Sequence, residues 1–256
     1  FKPLVDFTAT IGRRLGELHV ALAQETDDEA FKPEWASDDD VAGWREAVIN
    51  QISQSLTILE GTAGGLEGDM ASTARSLIDR RDELIRLVER LTEAAEGTLM
   101  TRHHGDFHLG QILVAESDAF IIDFEGEPTK KLAERRAKTN PLRDVAGLLR
   151  SLSYLAASAD MNREVVSEVD DERHRLLITR FIELAEPAFL QAYFDAAEAS
   201  DALTRSNQAR EKVLDLFLLE KAAYEVAYEV RSRPHWLPLP LAGFSAIASR
   251  LLENDR

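Results

Sequence analysis

The sequence predicts a mostly α-helical fold of the α+β class, with one small β insertion between long helices. Apolar residues recur at helical spacing along most of the chain, beginning with Ile11, Leu15 and Leu18. Between Thr98 and Phe124 the pattern changes to short apolar segments separated by polar turns, the only β-rich region expected. Because functional residues concentrate where regular patterning breaks, we expect the site in this insertion.

The individual elements follow from periodicity and turn signals. We predict strands at 98–104, 111–115 and 119–124, and helices at 11–23, 41–60, 72–95, 142–159, 171–199 and 208–231. An acidic, exposed connection containing Pro33 precedes the second helix, which we expect to be capped by Ser37 or Asp38. The glycine-rich segment 61–68 is interpreted as a helix connection, because no strand precedes it and no Gly-Lys-Ser/Thr follows.

Composition excludes several classes of function. The 256 residues contain no cysteine, which excludes disulfide scaffolds, thiolate nucleophiles and cysteine-based metal sites. A formal charge of −16 disfavours nucleic acid and anionic membranes as partners. No apolar run reaches membrane-spanning length and no signal peptide is recognisable, so we expect a cytoplasmic protein. One basic run is either a solvated helix face or a phosphate-binding patch: Lys130, Lys131, Arg135, Arg136 and Lys138.

The chemistry-bearing segment is HGDFHLGQ, residues 104–111, followed by a strand that ends at Asp123. Phosphoryl transfer needs a carboxylate that orients the acceptor hydroxyl and hard oxygen ligands for Mg²⁺ at a fixed distance from it. In protein kinases, four residues separate the catalytic Asp from a metal-binding Asn, and a strand then delivers a second metal-binding Asp. The same order predicts Asp106 as the catalytic carboxylate and Gln111 and Asp123 as Mg²⁺ ligands, with Glu125 assisting.

The histidines of this segment allow other interpretations. We expect His104 to fix the loop by hydrogen bonding, while His108 either approaches the substrate or braces the loop. A hydrolytic metal site formed by His103, His104, Asp106 and His108 is a competing hypothesis, disfavoured because it lacks further ligands. His19, on an apolar helix face, is expected to be a hydrogen-bonded core residue.

At these residues the sequence resembles the aminoglycoside-phosphotransferase-like kinases, and within them the maltokinases, especially those fused behind trehalose synthase. The similarity covers HGDFHLGQ and IIDFEGEP and continues through Leu132–Ala157 and Lys221–Phe244. It implies the helical C-terminal lobe of a protein-kinase-like fold. It also implies ATP- and Mg²⁺-dependent phosphorylation of maltose at its anomeric hydroxyl, giving maltose 1-phosphate for α-glucan (glycogen) synthesis.

The resemblance also implies a sugar pocket. Arg143, Asp144, Tyr228, Glu229 and Trp236 would line or support it, since an indole stacks on a pyranose face and charged side chains bind hydroxyls. Each of these residues has a structural alternative, as a core aromatic or as part of a helix-start pair.

The resemblance divides the chain, 1–256, into parts of one kinase-like lobe: helical 1–96, catalytic loop and metal-binding strands 97–131, and helical sugar-binding 132–256. Kinases also need a β-lobe with a phosphate-covering loop and a strand-borne lysine. Nothing ahead of Ile11 supplies them, so we expect that lobe to be missing from this sequence. Two alternatives remain: a related sugar kinase, for example one acting on glucosamine, or a non-catalytic kinase-like module that binds a fused or associated trehalose synthase.

Overall fold

The computed structural model describes residues 1–116, 118–161, 168–206 and 209–254. Helices dominate, and the strands form small antiparallel sheets of two strands each, which agrees with the predicted mostly helical α+β class. Contacts divide the chain into a first unit, Phe1–Trp35 with Leu99–Asn207, and a second, Ala36–Thr98 with Gln208–Arg256. No helix in the described ranges combines the length and apolar composition needed to cross a membrane.

In the first unit, helix α1 (Lys2–Leu22) packs closely along helix α7 (Glu168–Ala197). Two glycines one turn apart permit this approach. A Cβ on Gly12 would lie 2.2 Å from the carbonyl oxygen of Phe189, and one on Gly16 would lie 2.7 Å from that of Tyr193. The apolar stripe predicted for this helix is buried at Ile11 and Leu15.

The strands of the first unit form two sheets. One pairs β1 (Glu34–Trp35) with β2 (Leu99–Met100), and the other pairs β3 (Ile112–Ala115) with β4 (Asp118–Ile121). The β3–β4 hairpin confirms the strands predicted around 111–124. The prediction that β structure is confined to 98–124 is wrong, because β1 lies in the acidic connection, too short and exposed to show a periodic signal.

Among its described residues, the first unit also contains the helices α5 (Leu132–Arg136), α6 (Leu142–Met161) and α8 (Asp201–Ser206). Buried Asn140 fixes the start of α6, because its side-chain oxygen accepts the N–H of Leu142 at 3.0 Å. The amide nitrogen of the same side chain donates to the carbonyl oxygen of Leu99 at 3.2 Å. Asn140 therefore ties the helix to strand β2, which leads into the catalytic loop.

The second unit is helical. Its helices are α2 (Asp38–Thr62), α3 (Gly68–Asp79), α4 (Arg81–Thr92), α9 (Arg210–Ser232) and α10 (Pro238–Asn254). Ser37 caps α2 as predicted: its hydroxyl accepts the N–H of Asp40, whose carboxylate accepts the N–H of Ser37 at 2.9 Å. Trp44 packs edge-on against Phe217 between α2 and α9.

Two helix predictions in the second unit need correction. The single helix expected over 72–95 is two helices, because Arg80 leaves the helical conformation (φ −94°, ψ 12°) without a glycine or proline to signal it. Helix α10 lies beyond the predicted helices, the last of which was expected to end at Pro234. Its own prolines, Pro238 and Pro240, lie in its first turn, where proline is tolerated. The division into parts 1–96, 97–131 and 132–256 concerns roles and stays a prediction.

Candidate active site

The predicted catalytic loop, residues 104–111, connects β2 to β3 in the first unit and ends in a 3-10 turn over Leu109–Gln111. Its backbone is bound by the side chain of Asp144 in α6. One carboxylate oxygen accepts the N–H of His104 at 2.7 Å, and the other accepts that of Gly105 at 2.9 Å. Gly105 has φ +84°, a conformation that favours glycine. The turn before Asp106 therefore requires a glycine at this position, and Asp144 accepts the N–H of that glycine.

One face of helix α6 supports the loop at three places. Besides Asp144, Gly147 lets the helix approach, since a Cβ there would lie 2.5 Å from the carbonyl oxygen of Phe107. One turn further on, the hydroxyl of Ser151 accepts the N–H of Leu109 at 3.0 Å. The spacing 144, 147 and 151 keeps these residues on the same helix face. The helix therefore fixes the loop on both sides of Asp106.

His104 fixes the loop as predicted. Its Nδ1 accepts the N–H of Asp106 at 3.3 Å, and its Nε2 donates to the carbonyl oxygen of Ile122 at 2.8 Å. These two partners assign the Nε2–H tautomer. The ring also packs against Phe107 and Phe124. One buried imidazole thus ties the catalytic loop to the strand end that carries Asp123.

Asp144 is itself part of a buried hydrogen-bonded chain. Its carboxylate accepts Nε2 of His19 at 3.2 Å, and Nδ1 of His19 accepts the hydroxyl of Tyr193 at 2.9 Å. Burial alone would raise the pKa of Asp144. The hydrogen bond from His19, the imidazole of His103 and the N–H of Gly105 outweigh burial and hold that pKa well below its usual range. Burial, with the charge of Asp144, raises the pKa of Tyr193, so its hydroxyl keeps its proton.

Asp144 has the structural role that was its predicted alternative. Its side chain is only 1% exposed, and its oxygens accept hydrogen bonds from the loop and from His19. Its support of a sugar pocket stays a prediction. The neighbouring Arg143 is half-buried at the start of the same helix, where its N–H donates to the carbonyl oxygen of Asn140. The expectation that it contacts sugar stays a prediction.

The predicted metal ligands Gln111 and Asp123 lie side by side. The side-chain nitrogen of Gln111 is 3.1 Å from Oδ2 of Asp123, and the backbone N–H of Ile122 donates to the carbonyl oxygen of Gln111 at 3.0 Å. Rotating the amide by half a turn places its oxygen beside the carboxylate. Mg²⁺ is bound by one or two carboxylates together with neutral oxygens, phosphates and water, so this donor pair fits it.

The two other predicted residues of this segment are His108 and Glu125, and their side chains have different environments. Nδ1 of His108 accepts the N–H of Gly110 at 3.0 Å, and its Nε2 lies 3.4 Å from the amide of Gln111. His108 therefore braces the loop, the second of its two predicted roles. The side chain of Glu125 is exposed, while its carbonyl oxygen accepts Nη1 of Arg135 at 3.4 Å. Its assistance in metal binding stays a prediction.

The hydrolytic metal hypothesis is wrong for the described residues. No group of three or more His, Asp or Glu side chains in that part of the chain is arranged to hold a metal ion. His104 uses both ring nitrogens on backbone groups. His103 has a buried Nδ1 without a partner, and burial lowers the pKa of this histidine to about 4.

The remaining predicted substrate residues lie together in the second unit, at the end of α9. Glu229 is 1% exposed and accepts two hydrogen bonds from Arg233, at 2.6 and 3.0 Å. The guanidinium carbon of Arg233 lies 5.6 Å from the ring centre of Tyr228 and 5.1 Å from that of Trp236. Glu229 therefore orients an arginine between two aromatic rings, and Arg233 is the residue that the sequence analysis missed here.

Sequence reasoning also missed Gly147, Ser151 and Tyr193, and placed His19 only in the core. The signal for the first two was present as small residues one and two turns after Asp144, on the face that Asp144 defines. Tyr193 gave no sequence signal, because its partner His19 is 174 residues away.

The chain is similar in sequence and fold to glucosamine kinases. No protein-family model matches the chain. It is 29% identical over 245 residues to a glucosamine kinase of Mycolicibacterium smegmatis, covering 95% of this chain and 54% of that protein. A glucosamine kinase of Streptacidiphilus jiangxiensis is 29% identical over 242 residues, covering 91% and 47%. The chain thus spans about half the length of the curated relatives it matches.

Solved structures share the fold. A glucosamine kinase in complex with glucosamine, ADP and inorganic phosphate matches with a TM-score of 0.76 at 23% identity, over 94% of this chain and 51% of that one. Another crystal form of a glucosamine kinase matches with a TM-score of 0.74, over 98% and 60%. The chain therefore has the fold of the corresponding part of these kinases.

Proposed function

We propose that this chain is the catalytic, acceptor-binding part of an ATP-dependent sugar kinase and that its acceptor is glucosamine. The observation that carries the proposal is the fixed loop around Asp106, beside the paired Gln111 and Asp123. Loop residues before and after Asp106 are bound by α6, and its own N–H is bound by His104. Such preorganisation is what a phosphoryl-transfer site requires, because its catalysis is almost entirely positioning and electrostatics.

In the proposed reaction, the carboxylate of Asp106 accepts the proton of the acceptor hydroxyl. The hydroxyl oxygen forms a bond to the terminal phosphorus of ATP, the bond from that phosphorus to the bridging oxygen breaks, and ADP leaves. Gln111 and Asp123 would hold Mg²⁺, which neutralises charge on the β and γ phosphates. The hydrogen bonds to the loop would hold Asp106 in place for this proton transfer.

The curated relatives favour glucosamine over maltose as the acceptor, since both are glucosamine kinases. Maltose, implied by the resemblance of the catalytic motif to maltokinases, is the second candidate. These relatives do not support an association with trehalose synthase. The complete set of Asp106, Gln111 and Asp123 argues against a purely binding module.

We further propose that Tyr228, Arg233 and Trp236, which lie together at the end of α9, take part in acceptor binding. The exposed ring of Tyr228 and the half-buried indole of Trp236 offer stacking surfaces, and Arg233 offers hydrogen-bond donors to hydroxyls. Glu229 is not available as a free carboxylate for an amino group, because its charge is paired with Arg233. Its role in this proposal is to orient Arg233.

The test is an acceptor panel. The protein as encoded, with any sequence that flanks this chain, is assayed for ADP release and sugar phosphate formation with glucosamine, maltose and glucose. We expect the highest kcat/KM with glucosamine. A clear preference for maltose would select the second candidate, and no phosphorylation of any sugar would refute the kinase proposal.

A further inference from the structure

The turn that follows Asp123 lies directly against the catalytic loop. A Cβ on Gly105 would lie 3.4 Å from Cα of Gly126, so the two backbones are in contact. Both glycines have positive φ, +84° and +74°. Because Gly126 follows Asp123 by three residues and Gly105 precedes Asp106, this contact couples the predicted metal ligand to the predicted catalytic carboxylate.

Arg135 also contacts Gly126. A Cβ on Gly126 would lie 3.4, 3.5 and 3.7 Å from Cβ, Cγ and Cδ of Arg135, so the aliphatic stem of the arginine packs on the glycine. Its Nη1 reaches the carbonyl oxygen of Glu125 at 3.4 Å. Gly126 thus contacts both the catalytic loop and the stem of Arg135.

The position of Arg135 is fixed by its own helix. Within α5, its N–H donates to the carbonyl oxygen of Lys131 at 3.0 Å. The next residue, Arg136, accepts Nη1 of Arg102 on its carbonyl oxygen at 2.6 Å, and Arg102 lies just before the catalytic loop. Helix α5 is therefore hydrogen-bonded to the residue that lies two positions before the catalytic loop.

An unpartnered polar atom shows that packing stability alone does not explain this arginine. Nε of Arg135 is buried without a hydrogen-bond partner, and a buried unpartnered donor is unfavourable. An apolar residue at 135 would cover Gly126 without that cost. What an arginine provides and an apolar residue cannot is the hydrogen bond from its guanidinium group to the carbonyl oxygen of Glu125.

We infer that Arg135 is a positioning residue for the predicted metal ligands, holding the Glu125–Gly126 turn so that Asp123 stays beside Gln111. This inference rests on the proposed function, because it assigns Arg135 a role toward Mg²⁺ bound by that pair. Removing a residue that orients a metal ligand typically costs ten- to a hundredfold in metal affinity. The expected consequence is a weaker metal site, with little change in the KM for sugar.

The experiment measures Mn²⁺ binding without turnover, by the decrease of the electron paramagnetic resonance signal of free Mn²⁺ in the presence of ADP. Arg135→Ala is compared with wild type and with Arg75→Ala, an exposed arginine of α3. We expect Arg135→Ala to weaken Mn²⁺ binding about tenfold. In activity assays it should raise the Mg²⁺ concentration for half-maximal rate similarly, with the KM for sugar changed less than about twofold.

Arg135→Lys keeps most of the stem but loses the planar guanidinium, and it replaces the alanine variant if that variant does not fold. It should also weaken Mn²⁺ binding. Wild-type Mn²⁺ affinity in either folded variant, or an equal effect of Arg75→Ala, would overturn the inference. Failure of the proposed function is distinguishable: an inactive wild-type protein would refute the kinase proposal, and an Asp123→Asn variant with undiminished Mn²⁺ binding would refute the metal pair.

Discussion

The carboxylate of Asp144 accepts the backbone N–H of Gly105 at 2.9 Å, one residue before the predicted catalytic Asp106. The two residues are 39 positions apart in the sequence. Asp144 is buried and also bound by His19, so its position is set by the core of the first unit. Through this hydrogen bond the buried core of the first unit holds the loop in one conformation, and the proposed chemistry depends on that loop.

Asp144→Asn should lower kcat for sugar phosphorylation about a hundredfold, while KM values change little. The asparagine amide has one accepting oxygen, so it cannot accept both loop N–H groups and the His19 N–H. Steady-state kinetics on wild type, on Asp144→Asn and on Asp27→Asn, an exposed carboxylate, checks this. Equal kcat values in the three proteins would show that the contact does not position the loop.

Gly147→Ala should destabilise the protein and reduce kcat, because the new methyl group would lie 2.5 Å from the carbonyl oxygen of Phe107 and push α6 away from the loop. The expected loss of unfolding free energy is about 1–3 kcal/mol. Gly43→Ala in helix α2 is the matched control, since its new Cβ meets nothing within 4 Å. The control should gain about 0.5–1 kcal/mol through helix propensity, as measured by urea unfolding. A neutral Gly147→Ala would contradict close packing of α6 on the loop.

His103 should make folding less stable at mildly acidic pH. Burial lowers its pKa to about 4 in the folded chain from 6.5, so between these values the unfolded chain binds a proton that the folded chain does not. Stability is therefore lost as pH falls from about 6.5 towards 4. Between pH 7 and pH 5 this amounts to about 2 kcal/mol.

Urea unfolding at pH 7 and pH 5 measures this effect. His103→Gln should show a smaller loss between the two pH values than wild type, and His235→Gln, an exposed histidine, should behave as wild type. If His103→Gln loses as much stability as wild type over this interval, the imidazole of His103 is not held neutral by burial.

The local parts of the site could be predicted from the sequence, because HGDFHLGQ and the strand ending at Asp123 carry the order of residues that phosphoryl transfer needs. The hydrogen bond between Gln111 and Asp123 confirms that the two lie together, because β3 and β4 pair in register next to them. The loop-fixing role of His104 was equally local, since its partner at Asp106 is two residues away.

The long-range parts could not be predicted. The sequence places Asp144 at a helix start, but it does not show that this helix packs against the catalytic loop, so the hydrogen bonds from Asp144 to the loop could not be predicted. The pairing of Glu229 with Arg233 is local, yet only its burial shows that the glutamate supports the arginine. The division into two units could not be predicted either. Each unit consists of two separate stretches of the chain, which passes between the units three times, whereas hydrophobic periodicity indicates only local structure.

Trp236→Ala should raise the KM for the sugar about fivefold, with the KM for ATP within about twofold of wild type, because loss of one stacking ring costs about 1 kcal/mol. Trp44→Phe, in the core of the second unit, is the control for indirect effects of losing an indole. Parallel increases in both KM values would argue for a structural role of Trp236 and against acceptor binding.

The central claim is that Asp106 carries the phosphoryl-transfer chemistry, and its most direct test is the rate of sugar phosphate formation from glucosamine and ATP by Asp106→Asn. Asparagine keeps the size of the side chain but cannot accept the proton of the hydroxyl. The account predicts a fall in kcat of about a hundredfold or more, with folding and Mn²⁺ binding preserved. A folded Asp106→Asn protein with wild-type kcat would contradict it.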